Sequence, residues 1–498
     1  MLKLRDYQLK SHELIIENFK LNKKVVLVVM AGGGKSITAG SFVAKYIKHF
    51  KFVLMVRKRD LVEQLAKDAL GTFDLDYSIF MANHPKMDLS KSIQVCSKDT
   101  MQSRDTLPFE GEDDIIFIVD ECDENTDYQR EIIKRYSVSK RFFYFGMTAT
   151  PFNGLDFFDV AIEPIKPKEL LKRGILVEYI YHVPPIFNTE ELEVIQGEFV
   201  TSQINKSLNS PRMIKDSFEW WLKVGENRQT MVFCINQDHG KNVEEYINNY
   251  YGMKVAICHD ANTPKEERIA GIDAFKRGIY RFLINIGLYV RGTNIIEIGC
   301  ILDLAPTLKL NRHIQKVTRG SRANPAYNDC LLIDIANNCI NNGPVYTERV
   351  IDLSSNYKKK KSDLENVMMR VCEKCFRADE TAAFGVKNIC PFCGHCNKPI
   401  KKKKLSKDAE NKIFLESASE EAIEQKRMIN EFKKALWKKK NIGKRYRNDI
   451  ALIYTQQDFM KKYGLEKILK IKKAIWLKDS TVEDYKRKQY VPLGGLDV

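Results

Sequence analysis

Gly32-Gly33-Gly34-Lys35-Ser36 and Asp120-Glu121-Cys122-Asp123 are the runs whose residue types and spacing could do chemistry, and together they suit phosphate chemistry. Glycines let backbone N–H groups approach an anion, a lysine neutralises its outer oxygens, and a hydroxyl can ligate magnesium. Gly32, Gly33, Gly34, Lys35 and Ser36 supply those parts, although the first glycine of the pattern GxxxxGK[ST] falls on Val29. Alone, the run also fits a glycine turn ahead of an ordinary helix. The acids narrow that choice: Asp120 can share a magnesium shell with Ser36, and Glu121 can orient or deprotonate an attacking water. Asp123 and Glu124 fit a solvated turn as readily as a functional role. A phosphoryl transition state needs further positive charge, commonly an arginine from another domain. Arg319 and Arg322 stand three apart in the run Gln315 to Arg322, so on a helix they would share a face. By itself that run reads more simply as an exposed basic helix.

A separate constellation lies further along. Cys372-Glu373-Lys374-Cys375 and Cys390-Pro391-Phe392-Cys393 are two CxxC pairs separated by 14 residues, a spacing suited to tetrahedral thiolate coordination of a structural zinc. His395 and Cys396 stand close enough to replace Cys393 as the fourth ligand. Of the twelve cysteines, the other seven are scattered singly, unlike a secreted disulfide framework. A reducing cytoplasm is the expected compartment.

These groups must be positioned by regular elements. Apolar runs at 25–30, 52–56, 93–96, 115–119 and 142–146 alternate with helical stretches such as 36–48 and 60–69, which is α/β patterning over residues 1–165. In an open parallel sheet, ligands gather at the carboxyl ends of the strands, where both the glycine run and Asp120 would lie. A second alternation spans 211–350, with strands expected at 230–235, 254–258, 281–286, 299–304 and 330–335. Residues 166–210 read as a connector with some structure of its own. A linker leads to the cysteine module at 366–398, and a basic, mainly helical region is expected over 405–498. Residues 397–498 hold 27 Lys and Arg against 14 Asp and Glu, so this last fifth carries +13 of the formal +16. That concentration favours a polyanionic partner. The interleaved tail aromatics, Trp437 and Trp476 among them, fit a small core at least as well as base stacking. No apolar run approaches the roughly 20 residues needed to span a bilayer, and the first residues do not open a signal peptide. No membrane partner is expected.

In this order the series resembles superfamily 2 helicases over residues 1–345. Leu4-Arg5-Asp6-Tyr7-Gln8 is similar to the family's adenine-reading segment, with Gln8 the base-reading side chain. Gly32 to Ser36 resembles motif I, Val56 to Gln64 motif Ia, and Ser97 to Met101 the strand-contacting motif that follows. Asp120 to Asp123 is the DExD form of motif II, and Thr148-Ala149-Thr150-Pro151 resembles motif III. Val232-Phe233-Cys234 is similar to motif IV, Gly292-Thr293-Asn294 occupies motif V, and Gln315 to Arg322 resembles motif VI. Asn294 stands where an acid is usual, and Thr318 where glycine is usual. Lys172 to Val177 and Leu331 to Asn338 resemble the branch of repair and fork-remodelling helicases and restriction-type translocases, which has phage members.

The resemblance implies two tandem RecA-like parallel-sheet domains with ATP and Mg2+ between them, followed by a zinc ribbon holding Zn2+. Lys35, Asp120, Glu121, Gln315, Arg319 and Arg322 would form the catalytic set, and Gln8, Gly32, Gly33, Gly34, Lys35, Ser36 and Gly292 the nucleotide site. Arg57, Gln64, Ser97 and Thr100 would contact nucleic-acid phosphates, while Thr148 and Thr150 couple hydrolysis to strand movement. The expected activity is ATP-dependent unwinding or remodelling of forked or branched DNA, by a protein monomeric when free, in a bacterial or phage-infected cytoplasm. RNA is an alternative partner. A restriction-type duplex translocase and a zinc-dependent binding protein with a decayed ATPase are the other readings.

Overall fold

In the computed structural model the described residues are 2–57, 59–152, 154–287, 295–324, 326–351, 353 and 369–398, with 428, 431, 432 and 462 beyond. The chain divides into two units, Met1–Lys398 and Pro399–Val498. In the second, Lys462 Nζ pairs with Glu431 at 2.9 Å. The expected basic helical region otherwise lies outside the described residues.

The first unit contains two parallel sheets. Strands β1 (Val25–Val28), β2 (Lys51–Val56), β3 (Ser78–Phe80), β4 (Ile93–Ser97), β5 (Ile115–Asp120), β6 (Phe142–Thr148) and β7 (Val160–Ile162) form a seven-stranded sheet in the order β3-β4-β2-β5-β6-β1-β7. Their sequences explain their place. Val25 and Leu27 of β1, with Ile116 and Ile118 of β5, enter one buried cluster, while Val26, Val28, Ile115, Phe117 and Val119 enter the cluster on the opposite face. Side chains alternate across a strand, so an unbroken apolar run is what a sheet covered on both faces requires.

The register sets out the chemistry along one edge. Val28 of β1 pairs with Thr148 of β6, and Asp120 of β5 pairs with Met147. The glycine loop leaving β1, the acids ending β5 and the threonine ending β6 therefore emerge side by side.

The second sheet takes β8 (Glu178–His182), β11 (Thr230–Phe233), β12 (Ala256–His259), β13 (Phe282–Asn285), β14 (Cys300–Asp303), β15 (Asp329–Asp334), β16 (Met369–Val371) and β17 (Arg377–Glu380). The strands β9 (Val194–Ile195) and β10 (Glu198–Phe199) form a separate two-stranded ribbon. The second sheet runs β12-β13-β11-β14-β15-β8-β17-β16, parallel from β12 through β8 and closed by an antiparallel hairpin. Two tandem RecA-like domains are thus present, with a four-cysteine module whose hairpin continues the second sheet. β8 lies inside the segment expected as a connector, and the cysteine hairpin pairs directly with it.

The second sheet also buries a polar network. Lys316 Nζ lies 2.7 Å from Asp303 Oδ1, and Asn338 Nδ2 donates to Asp303 Oδ2 at 2.8 Å. Asp334 accepts from the backbone N–H groups of Asn338 and Cys339. Each buried charge is thus paired or hydrogen-bonded, as burial demands. This network ties the helix Leu310–Val317 to the second sheet through Lys316, while Asn311 and Gln315 of the same helix reach the first domain.

Candidate active site

The loop after β1 is held open by backbone geometry. Gly32 and Gly34 adopt φ of +87° and +84°, a left-handed conformation that side chains rarely tolerate. Gly33 answers the missing first glycine: a Cβ there would lie 2.5 Å from Val29 Cγ1, so Val29 fills the space under the loop. Tyr7 Oη donates to the Gly33 carbonyl at 2.9 Å, and Gln8 Nε2 donates to the Gly34 carbonyl at 3.3 Å. The Gln8 Oε1 accepts from the Arg5 backbone N–H. Ser36 stands in the first turn of the helix Lys35–Tyr46, whose N-terminus the loop feeds. Aligned peptide dipoles make that end attractive to an anion.

Lys35 is only loosely engaged by protein. Its Nζ lies 3.5 Å from the Val29 carbonyl and 3.9 Å from Glu121 Oε1. Glu121, in a left-handed conformation at φ +51°, keeps a buried Oε2 without a hydrogen-bond partner among the described residues. Buried polar atoms are normally satisfied, so an orphaned carboxylate oxygen beside a weakly held ammonium fits a site built for a ligand. Asp120 accepts from the Glu121 backbone N–H at 3.1 Å, which fixes the turn between the two acids. The donor set fits magnesium chemistry: a serine hydroxyl and a carboxylate are hard oxygen ligands. Cys122 serves differently. Burial, then the neighbouring acids, raise its thiol well above the usual range, and it packs where a Cβ on Gly146 would stand.

Asp123 is not a solvated turn residue. Its Oδ1 accepts from Thr148 Oγ1 at 2.7 Å and its Oδ2 from Thr150 Oγ1 at 2.9 Å. Asn311 Nδ2, from the second sheet's side, reaches the same Oδ2 at 3.2 Å. Gln315 Nε2 donates to Thr150 Oγ1 at 3.2 Å, so the helix Leu310–Val317 touches motifs II and III through two side chains one turn apart. Asn311 is not marked in the sequence by any local pattern, because its partner lies 188 residues away.

The two arginines do not share a helical face, contrary to the expectation from their spacing. The helix ends at Val317, Thr318–Gly320 form a 3-10 turn, and Arg322 makes an antiparallel bridge with Leu176. The cause is local capture of backbone groups. Thr318 Oγ1 donates to the Gln315 carbonyl, Ser321 Oγ to the Thr318 carbonyl, and the Val177 N–H to the Ser321 carbonyl. Arg319 is buried, its Nε donating to the Gln315 carbonyl at 3.4 Å. Arg322 runs over the glycine loop: its Cγ lies 3.3 Å from where a Gly32 Cβ would be, beside Leu176 Cδ2 at 2.9 Å. Burial lowers the guanidinium's pKa, and Asp68 opposes that shift.

The residues expected to meet nucleic acid divide. Arg57 is exposed at the end of β2 and pairs with Glu124 at 2.6 Å, while Gln64 Nε2 lies 3.5 Å from Asp68. Ser97 and Thr100 instead point inward. Ser97 Oγ caps the helix Lys98–Gln102 by accepting from the Thr100 N–H, and the two hydroxyls are 3.0 Å apart. Gly292, with all of the expected motif V, lies outside the described residues.

The cysteine pairs converge. The sulfurs of Cys372, Cys375, Cys390 and Cys393 all lie within 4.8 Å of one another, with Cys372 to Cys393 at 3.6 Å and Cys375 to Cys390 at 3.7 Å. A tetrahedron of sulfurs at about 2.3 Å from zinc has edges of roughly 3.8 Å, so the donors and their separations fit that ion. Cys396 Sγ turns away to the Lys387 carbonyl, and His395 is used through its own carbonyl, which accepts from the Cys390 N–H.

Comparison with known proteins agrees with this arrangement. Residues 1–153 match the family described as type III restriction enzyme, res subunit, and residues 212–324 the helicase conserved C-terminal domain. The candidate ATP-dependent helicase IRC3 of Saccharomyces cerevisiae is 23% identical over 357 residues, covering 66% of this chain and 51% of the relative. A 51.5 kDa protein of Lactococcus phage (isolate 7-9) is 23% identical over 259 residues, covering 50% of this chain and 55% of the relative. The chain thus spans about half the length of the curated relatives it matches. A fragment of a candidate type I restriction HsdR subunit from Vibrio vulnificus YJ016 shares the fold, with TM-score 0.50 and 15% identity over 66% of this chain and 62% of that one. No helix among the described residues is long and apolar enough to cross a membrane. With both helicase-family domains matched in order and the DExD acids beside the glycine loop, the chain belongs to the superfamily 2 DExD/H-type helicases.

Proposed function

We propose that this chain is a nucleic-acid-stimulated ATPase that acts as a DNA helicase or translocase, unwinding or remodelling branched DNA in replication, recombination or repair. The observation that carries the reading is the meeting of both sheets over one loop: Arg322 from the second side lies against Gly32, in the loop that runs into the helix begun by Lys35. In this reading Gly32 to Lys35 cradle the phosphates of ATP and Gln8 sits at the base. Glu121 orients the attacking water and accepts its proton, while Arg319 and Arg322 stabilise the charge that develops on the transferred group. Magnesium, held through Ser36 and Asp120, would neutralise charge on the outer phosphates. Gln315, Thr148 and Thr150 transmit the state of the nucleotide to the grip on nucleic acid. Arg57 and Gln64 are the candidate phosphate contacts, and Ser97 and Thr100 shape the neighbouring turn. Zinc at the four cysteines would supply structural binding energy to a module with little core of its own.

A second reading is a duplex translocase of restriction type, favoured by the family matched over residues 1–153. ATPase and unwinding assays across single strands, duplexes, forks, four-way junctions and RNA separate these readings. Strongest stimulation by forks or junctions, with strand separation, supports the first. Stimulation by plain duplex without separation supports the second, and stimulation by RNA alone rejects both.

A further inference from the structure

We infer that Asn311 is a positioning residue that couples the two halves of the site, an inference that rests on the ATPase reading but is open to a test that needs no turnover. Asp123 accepts from Thr148 and Thr150, which belong to its own domain, and from Asn311 on the other side. A carboxylate only accepts, so the amide must present Nδ2 to it, which fixes the orientation of the Asn311 side chain. The opposite amide atom, Oδ1, is buried without a hydrogen-bond partner among the described residues. Among the described residues, the Asn311 side chain is therefore held on the first domain through its bond to Asp123. Asn311 and Gln315 stand four apart and face the same way, so the helix Leu310–Val317 grips motif II and motif III at successive turns.

The consequence is geometric. Arg319 and Arg322 follow this helix within five residues of its end, and Lys316 anchors its far side to Asp303 in the second sheet. Moving the helix relative to Asp123 moves both arginines relative to the glycine loop. Asn311 thus reports the position of the acidic motif to the arginines, alongside Gln315.

The test uses the full chain with Asn311→Leu, Asn311→Asp and the exchange Asp123→Asn with Asn311→Asp. Asn311→Asp sets two carboxylates against each other, and the exchange restores a donor opposite an acceptor. Hydrogen–deuterium exchange of residues 310–317 and 121–125 is expected to quicken about tenfold in Asn311→Asp and to return toward wild type in the exchange, with an unchanged melting temperature in Asn311→Leu. Nucleic-acid-stimulated turnover in Asn311→Leu is expected to fall about tenfold, roughly 1.4 kcal/mol, with the KM for ATP within twofold. Wild-type exchange rates in Asn311→Asp, or no recovery in the exchange, overturn the inference. A wild-type protein with no stimulated hydrolysis counts against the ATPase reading, while exchange still decides whether Asn311 joins the two halves.

Discussion

Asp123 shows how a residue's role can depend on a partner far away in sequence. In the run Asp120 to Asp123 it looks like the end of an acidic turn, yet it accepts from Thr148, Thr150 and Asn311. Its neighbour Glu121 keeps an unsatisfied buried oxygen near Lys35, the arrangement expected of a group that holds a water for attack. Glu121→Gln should therefore retain ATP binding and lose turnover by about a thousandfold or more, as should Arg322→Ala if it stabilises the transferred phosphoryl group. Binding of a fluorescent ATP analogue beside steady-state turnover checks this. Near-normal turnover in either variant removes that residue from the catalytic set.

At the scale of elements, the principal strands were legible because their residues are apolar without interruption, as β1 and β5 show. β8 was not. Its Glu-Tyr-Ile-Tyr-His sequence alternates weakly and is followed by Pro184-Pro185, so it reads as connector, although pairing with β15 on one side and β17 on the other places it inside the sheet. The short strands β3 and β7, three residues each, carry too little pattern to stand out. The end of the helix before Arg319 was hidden for a different reason: hydroxyls of Thr318 and Ser321 take the carbonyls that a continuing helix would use.

The cysteine hairpin makes a prediction of its own. Zinc should be retained at one ion per chain. Cys390→Ser should release it and accelerate amide exchange in β16 and β17, since apparent binding energies of about 10–16 kcal/mol are typical where zinc folds a small module. Metal analysis and exchange mass spectrometry check this. A purified chain without metal and with a protected hairpin would rule it out.

Across the whole molecule, three buried histidines of the second sheet's side set an acid limit. Burial lowers His182, His239 and His259 to about 4, with Arg377 adding to the effect at His182 and Arg268 at His259. The unfolded chain binds these protons near pH 6.5 while the folded chain does not, so stability should fall as pH drops from 6.5 toward 4. Each histidine contributes at most about 1.4 kcal/mol per pH unit. Asp334, raised to about 6 by burial and then by Asp303, and Glu244, raised by burial, act in the opposite direction, while His12 in the first domain, lowered by burial, adds to the histidine effect. Denaturant midpoints at pH 7 and pH 5 should differ accordingly, and His239→Gln should flatten the dependence. Equal midpoints in the wild type would contradict it.

ATP hydrolysis where the two sheets meet, in response to nucleic acid, is the activity on which the proposed roles of these residues depend. The most direct measurement is ATP turnover of the wild type and of Lys35→Ala, with and without forked DNA. The predicted result is turnover that rises strongly with forked DNA and disappears in Lys35→Ala. Turnover that ignores nucleic acid, or that survives in Lys35→Ala, would contradict the account.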